Sequence, residues 1–310
     1  MYFMKIIRGL KDIKKTPLKD PVVTLGNFDG VHLGHQAIFK QVVAWSLSTG
    51  GNSVVFTFEP HPLKVLAPQR SPKLLSTFRE KMEQIEASGM DAVICANFTP
   101  EFASQNPEDF VKDVLVDTLG VKALFVGHDY AFGKNRKGDI PFLRDAGARF
   151  GFELHVIGPV KVEGITVSST KIRQLIVDGE VCLASKLLGR PYSIEGTVIA
   201  GHSRGRTLGF PTANITTPNE LPPKEGVYAV SVLIEGREYK GAANIGKNPT
   251  FSDTTSSYEV HLFDFEGDLY GKFLKMKFIK RVRDEVRFKD AAELAEQIRK
   301  DVERVKAILY

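Results

Sequence analysis

Cysteine is scarce in this chain. Cys95 and Cys182 are the only two in 310 residues, which rules out a disulfide framework as the source of stability and makes a reducing cytoplasm the default setting. Long apolar runs are missing as well. None approaches the roughly 20 residues that a helix needs to cross a bilayer, so no membrane partner is expected. The N-terminal stretch with Lys5, Arg8, Lys11, Lys14 and Lys15 lacks the apolar core of a secretory signal and reads as a solvated face beside the first strand. Charge of one sign is also in short supply. Up to residue 187 there are 23 Lys and Arg against 20 Asp and Glu, and beyond it 19 against 17. A nucleic-acid surface concentrates its positive charge, so an even excess argues against one. A mild positive bias does suit small phosphate-bearing ligands. The oligomeric state is left open, a homo-oligomer included.

The length accommodates two domains, each with its own core. The first half alternates apolar runs (Val22–Leu25, Ser53–Phe58, Asp91–Ala96, Lys122–Val126, Phe152–Ile157) with amphipathic stretches. One of these is announced by Asn106-Pro107-Glu108, a cap, a first-turn proline and an acid, and is closed by Gly120. That alternation predicts an α/β, Rossmann-like domain, a mostly parallel sheet covered by helices that binds ligands at the carboxyl ends of its strands. After Leu187-Leu188-Gly189-Arg190-Pro191 the grammar changes to short strands at Ile194–Ala200, Val227–Ile234, Glu238–Ile245, Tyr258–Phe265 and Phe273–Ile279. This predicts an antiparallel sheet or barrel. A last helix, capped by Asp290, carries Leu294, Ile298, Val302, Val305 and Leu309 on one face. The domains are accordingly placed at 1–186 and 187–310, with no repeats and no low-complexity linker.

Gly26-Asn27-Phe28-Asp29-Gly30-Val31-His32-Leu33-Gly34-His35 links a strand to a helix start, where unpaired backbone N–H groups can hold an anion. His32 and His35 add two imidazole donors there, which points to polyphosphate; a shared metal ion and a purely structural pair are the alternatives. Ser168, Ser169 and Thr170 open another helix with Arg173 one turn in, either a second phosphate cradle or a simple cap. Thr57-Phe58-Glu59-Pro60-His61-Pro62 and Gly127-His128-Asp129-Tyr130-Ala131-Phe132-Gly133 each follow a strand and mix aromatics with polar groups, as a flat heterocycle requires.

In the second half, Gly241-Ala242-Ala243-Asn244-Ile245-Gly246-Lys247 mimics a phosphate-binding loop. Asn248 stands where Ser or Thr should open a helix, so the match is rejected. The stronger signal is Gly201-His202-Ser203-Arg204-Gly205-Arg206-Thr207-Leu208-Gly209-Phe210-Pro211-Thr212-Ala213-Asn214. It reads as a cationic glycine-rich flap or as a hairpin turn. Thr212 and Asn214 share one face of an extended segment, and their oxygens suit Mg²⁺ carrying substrate phosphates.

Taken together, the first set of motifs resembles the bacterial FAD synthetase module of the His-x-Gly-His nucleotidyltransferases. The second set, with Asn244-Ile245-Gly246, Glu259-Val260-His261, Tyr270-Gly271-Lys272 and Arg283-Asp284-Glu285-Val286-Arg287-Phe288, resembles riboflavin kinase. The resemblance covers the whole chain, with small departures at Lys171, where arginine is common, and at Tyr130, where phenylalanine is common. It implies ATP-dependent phosphorylation of riboflavin to FMN, then adenylylation of FMN by a second ATP to FAD and pyrophosphate. By the same resemblance Glu259 is the kinase base. Gly201, Arg206, Gly209, Thr212 and Asn214 hold ATP, with Mg²⁺ on Thr212 and Asn214, and Arg283 is a weaker flavin or phosphate contact. In the adenylyltransferase His32 and His35 are catalytic, and Gly26, Asn27, Phe28, Gly34, Ser168, Ser169, Thr170 and Arg173 bind ATP. Phe58, His61, Asp129 and Phe132 are weaker candidates for FMN. Two rival readings remain: a nucleotidyltransferase with another phosphorylated acceptor, and a non-catalytic flavin or nucleotide sensor.

Overall fold

The computed structural model describes residues 4–200, 209–247, 256–286 and 288–310. The chain divides into two compact units, one made of residues up to 73 with 78–167 and the other of 74–77 with 168–310.

The first unit is built on six parallel strands: β1 (Lys5–Arg8), β2 (Val22–Leu25), β3 (Ser53–Glu59), β4 (Ala92–Asn97), β5 (Ala123–Gly127) and β6 (Glu153–Ile157). They lie in the order β1-β4-β3-β2-β5-β6. Helices α1 (Leu33–Thr49), α2 (Pro62–Leu66), α3 (Phe78–Ala87), α4 (Pro100–Ser104), α5 (Pro107–Asp109) and α6 (Ile140–Phe150) connect them. Of the basic N-terminal stretch, Lys5 and Arg8 lie in an edge strand, with Ile7 buried between exposed neighbours, and Lys11, Lys14 and Lys15 follow in a short 3-10 helix over Leu10–Lys15. Alternate side chains point to opposite faces of the sheet, and both faces are covered. Val23, Leu25, Val54 and Phe56 pack with Leu115 and Leu143 on one side. Val22 and Val55 pack with Phe39, Val42 and Ile85 on the other. The predicted helix after Asn106 begins as expected, with Asn106 Oδ1 accepting the N–H of Glu108 at 3.2 Å. From Phe110 to Val116 it continues as a wider π turn, which the spacing did not foretell. A small antiparallel pair, β7 (Lys161–Val162) and β8 (Ile165–Thr166), closes the unit.

The second unit opens with α7 (Ser169–Asp178) and α8 (Val181–Leu188). α7 and most of α8 precede residue 187, where the sequence grammar changes. There follow β9 (Tyr192–Ile199), β10 (Ala213–Thr216), β11 (Gly226–Ile234), β12 (Arg237–Lys247), β13 (Ser256–Leu262) and β14 (Phe273–Arg283). They close into an antiparallel barrel in the order β10-β13-β12-β11-β14-β9. Its interior takes every second residue, among them Ile194, Tyr228, Val230, Val260, Met276 and Phe278, all buried. The final helix α9 (Ala291–Leu309) is capped by Asp290, whose Oδ1 accepts the N–H of Glu293 at 2.9 Å. It covers the outside of the barrel through Val302 and Val305 against Ala229 and Phe263. Residues 74–77 are bound here too: Leu74 N–H donates to Glu220 at 3.0 Å and Thr77 Oγ1 to Glu195 at 2.7 Å. The Gly241–Lys247 stretch lies wholly inside β12, as its rejection as a phosphate loop requires.

Candidate functional sites

In the first sheet the chain runs from β2 outward through β3 and β4, then returns to add β5 and β6 on the other side. The carboxyl end of β2 is therefore a topological switch point, where open α/β sheets leave a ligand crevice. The loop Gly26–His32 occupies that end. Phe28, Gly30 and Val31 sit in the left-handed backbone region, with φ of 51°, 79° and 38°. For phenylalanine and β-branched valine this costs about 1–3 kcal/mol each. Burial of both side chains and several hydrogen bonds hold the shape. Gln36 Nε2 donates to the Val31 carbonyl at 2.8 Å, and Thr57 Oγ1 to the Asn27 carbonyl at 3.2 Å. Gly26 is small because the Phe28 ring lies across it, 2.8 Å from where a Cβ would be.

His32 caps α1. Its backbone is extended, and its Nδ1 accepts the N–H of His35 at 3.4 Å. With Nδ1 accepting, the neutral ring carries its proton on Nε2 and can donate from there. The rings of His32 and His35 stack at 3.6 Å with 17° between their planes, and Phe28 meets His35 edge-on at 5.2 Å. Gly34 permits the stack, since a Cβ there would lie 3.1 Å from Cε1 and Nδ1 of His32. The same imagined atom would be 3.8 Å from the Val167 carbonyl, one residue before Ser168. Two imidazoles at the N-terminus of a long helix make a site for anionic oxygens.

The proposed flavin positions are linked through aromatic contacts. Phe58 meets Phe102 at 5.7 Å, Phe102 meets Phe110 at 5.8 Å, and Phe110 meets Phe132 at 5.3 Å. Phe58 and Phe132 thus end one continuous row of rings, each partly buried. Asp129 is exposed beyond β5, its Oδ1 lying 3.3 Å from the Cβ position of Gly127. His61 caps α2, with Nδ1 accepting the N–H of Leu63 at 3.2 Å. Tyr130, stacked on Phe132 at 5.8 Å, has its phenol pushed upward in pKa by burial. Phe98, Phe102 and Phe110 escaped sequence reasoning because they read as ordinary core. In the second unit, Ser168 caps α7, its Oγ accepting the N–H of Lys171 at 3.2 Å. Ser169 and Thr170 occupy the first turn and Arg173 lies within the helix.

The barrel presents the other constellation. Asn214 of β10 pairs with Glu259 of β13, and Glu259 pairs on its other side with Asn244 of β12. Residues directly opposed in a sheet share a face about 4.5–5.5 Å apart, so the three stand on one rung. Ala213 and Val260 turn inward and are buried, which puts the rung on the outer face. Thr212, just before β10, is exposed. His261 holds this segment in place: its Nδ1–H donates to the Pro211 carbonyl at 2.9 Å, and its ring meets Phe210 at 5.6 Å. Glu285 lies over Gly246, 2.7 Å from the Cβ position. Gly201 and Arg206 fall outside the described residues; Gly209 has φ +83°.

Arg283, the weaker flavin or phosphate candidate, is engaged by groups of its own chain. Its Nε and Nη2 grip Asp301 of α9 at 2.6–3.0 Å, and Nη1 donates to the Asp284 carbonyl at 2.8 Å. Asp301 is only 4% exposed, and Gln297 Nε2 donates to it as well. Arg283 thereby fastens α9 to β14.

A doubly wound α/β unit with an anion-ready helix start, in one chain with a barrel bearing a carboxylate between two amides, defines a nucleotide-handling transferase. The FAD synthetase family model matches residues 14–171 and the riboflavin kinase model residues 188–309. Bifunctional riboflavin kinase/FMN adenylyltransferases from Escherichia coli K12, Haemophilus influenzae and Pseudomonas fluorescens are 40%, 39% and 40% identical to it. The alignments cover 96%, 98% and 98% of this chain and 96%, 99% and 98% of those proteins, respectively. The chain belongs to the bifunctional riboflavin kinase/FMN adenylyltransferase family, with the FAD synthetase domain first and the riboflavin kinase domain second. A crystal structure described as a macrolide-efflux protein from Streptococcus pneumoniae shares the fold. It covers 98% of each chain with a TM-score of 0.88 and 34% identity. Among the described residues of the present chain no helix is long and apolar enough to cross a membrane.

Proposed function

We propose that this chain converts riboflavin to FMN on its barrel and FMN to FAD at the head of α1, with catalytic modules spanning 187–310 and 1–186. The observation that carries the reading is the pair of constellations in one chain: the stacked His32 and His35 at a switch point, and Glu259 between Asn214 and Asn244.

In the kinase reaction the terminal ribityl hydroxyl attacks the γ-phosphorus of ATP and ADP leaves. An alcohol is a weak nucleophile, and Glu259 takes its proton as general base. Thr212 and Asn214 offer a hydroxyl and an amide oxygen, a hard but sparse donor set. That suits Mg²⁺, which keeps waters and substrate phosphates in its shell. When bound there the ion neutralises phosphate charge. Gly201, Arg206 and Gly209 would flank the same phosphates. Arg283 remains the weaker candidate for a flavin or phosphate contact, and its grip on Asp301 also seats α9 against β14.

In the adenylylation the FMN phosphate attacks the α-phosphorus of ATP and pyrophosphate leaves. The nucleophile is already anionic at neutral pH, so no base is required. The task is to offset crowded negative charge, and His32 and His35 do so with the N–H groups of α1. Gly26, Asn27, Phe28 and Gly34 shape the ATP pocket of the first unit, and Ser168, Ser169, Thr170 and Arg173 at the start of α7 keep their assignment as a phosphate cradle. Phe58, His61, Asp129 and Phe132 receive the flavin, a role supported by the aromatic row that joins Phe58 to Phe132. The cytoplasm is the proposed setting, with small-molecule substrates and Cys95 and Cys182 as thiols.

The test is a time course of the purified chain with riboflavin, ATP and Mg²⁺, the flavins being separated by chromatography. FMN should rise first and FAD follow. FMN alone would remove the assignment of His32 and His35. No conversion of riboflavin or of supplied FMN would favour the sensor or another acceptor.

A further inference from the structure

Lys81 is a lysine on α3 that the functions assigned so far do not use, and it is only 8% exposed. A buried ammonium is costly and persists where its charge is needed. Here it points toward the carboxyl edge of the sheet. Its Nζ donates to Thr57 Oγ1 at 3.4 Å, and the same hydroxyl donates to the Asn27 carbonyl at 3.2 Å. A directed chain of hydrogen bonds therefore runs from α3 through the fully buried Thr57 of β3 into the loop that carries His32. The carboxylates acting on the ammonium come from two elements: Asp29 of that loop and Glu59 at the end of β3. Asp29 is itself only 6% exposed. Burial pulls the Lys81 pKa down, while these neighbours hold it up. The ring of Phe78 lies 5.9 Å from Nζ and covers it further.

The loop needs such a hold. Phe28 and Val31 are kept in left-handed backbone that neither side chain prefers, and the loop ends on the residue that caps α1. A fixed internal cation, bonded to the Asn27 carbonyl through one hydroxyl and electrostatically favoured by Asp29, supplies it. We infer that Lys81 is a positioning residue of the adenylyltransferase site, which through Thr57 and Asp29 sets the Gly26–His32 loop so that His32 and His35 meet the nucleotide phosphates. The inference rests on the adenylyltransferase reading of this loop.

The experiment uses the full chain and compares Lys81→Met, which keeps the length and removes the charge, with Thr57→Val and the double variant. FMN adenylylation is followed at varied ATP and varied FMN, and riboflavin phosphorylation is measured on the same preparations. Lys81→Met should lower kcat and raise the KM for ATP, with a combined loss of about 10- to 100-fold from a misplaced loop. The KM for FMN and the kinase rate should stay within about threefold of the parent. Thr57→Val should show a smaller loss of the same kind, and the double variant should be no worse than Lys81→Met, because both changes break one relay. A loss below about threefold in Lys81→Met, a parallel rise in both KM values, or fully additive losses would overturn the inference. The underlying reading fails separately, if His35→Ala still makes FAD at the parental rate.

Discussion

Glu259 faces Asn214 directly across the β10–β13 pair, on the outer side of a barrel whose inner side is filled by their neighbours Ala213 and Val260. Their partnership follows from register alone: a slip of one residue would bury both and expose two apolar side chains. Core packing thus fixes where a candidate base stands relative to a candidate metal ligand.

Replacing Glu259 by glutamine keeps the shape and removes the proposed base. Riboflavin phosphorylation should fall by about 10²–10⁴-fold, with adenylylation of supplied FMN retained. Separate assays of the two half-reactions on one preparation decide it, and loss of both in a folded variant would contradict the two-site picture.

His261 is expected to act on ATP affinity at a distance. His261→Phe preserves the ring contacts to Phe210 and Phe263 but deletes the bond to the Pro211 carbonyl. With a hydrogen bond worth about 1 kcal/mol, the kinase KM for ATP should rise roughly fivefold. An unchanged KM would mean that the Pro211–Thr212 segment is held by other contacts.

For the adenylyltransferase, His35→Ala should stop the chain at FMN. If the imidazole acts as an oxyanion-type donor, the loss is about 3–4 kcal/mol in the barrier. Accumulation of FMN without FAD, read by chromatography, is the expected result.

Gly34→Ala should separate stability from activity. Alanine favours a helix over glycine by about 1 kcal/mol, so thermal stability should hold or rise. Yet the new methyl meets the His32 ring at 3.1 Å and must displace it, so FAD synthesis should drop. A variant with full activity would show that the ring stack is dispensable.

The barrel should soften in alkali for a nameable reason. Burial pushes the Tyr258 phenol up to about 12, above the roughly 10 of an unfolded chain. The folded state therefore binds the phenolic proton more tightly. That stability is complete below about pH 10 and drains away as the pH rises through about 12. Urea midpoints at pH 8 and pH 11 should differ more for the parent than for Tyr258→Phe, and equal differences would remove Tyr258 as the source.

Much of this architecture can be read from the chain, because parallel strands buried on both faces leave continuous apolar runs such as Val22–Leu25. The antiparallel ones can leave alternation, as in Leu274–Phe278 of β14. β10 is too short and polar to announce itself, and β1 is masked by lysine and arginine. The π turn at Phe110–Val116 keeps helical spacing while changing its hydrogen bonds. Among the candidate site positions, His32, His35 and Glu259 carry their chemistry in their side chains. Lys81 gives no such sign, since a lysine in Arg79-Glu80-Lys81-Met82-Glu83 looks like the wet side of a helix. Only the fold turns it inward.

Residues 74–77 belong to the second unit although the chain on both sides of them belongs to the first. The two units therefore alternate along the gene, and no single breakpoint parts them. A fragment beginning at residue 188 would forfeit the Thr77 hydroxyl on Glu195, the Leu74 N–H on Glu220 and the packing of α7 and α8. Recombination that shuffles whole modules would meet resistance here, and loss of one activity by descent should come through point changes at its site, with the surrounding polypeptide kept.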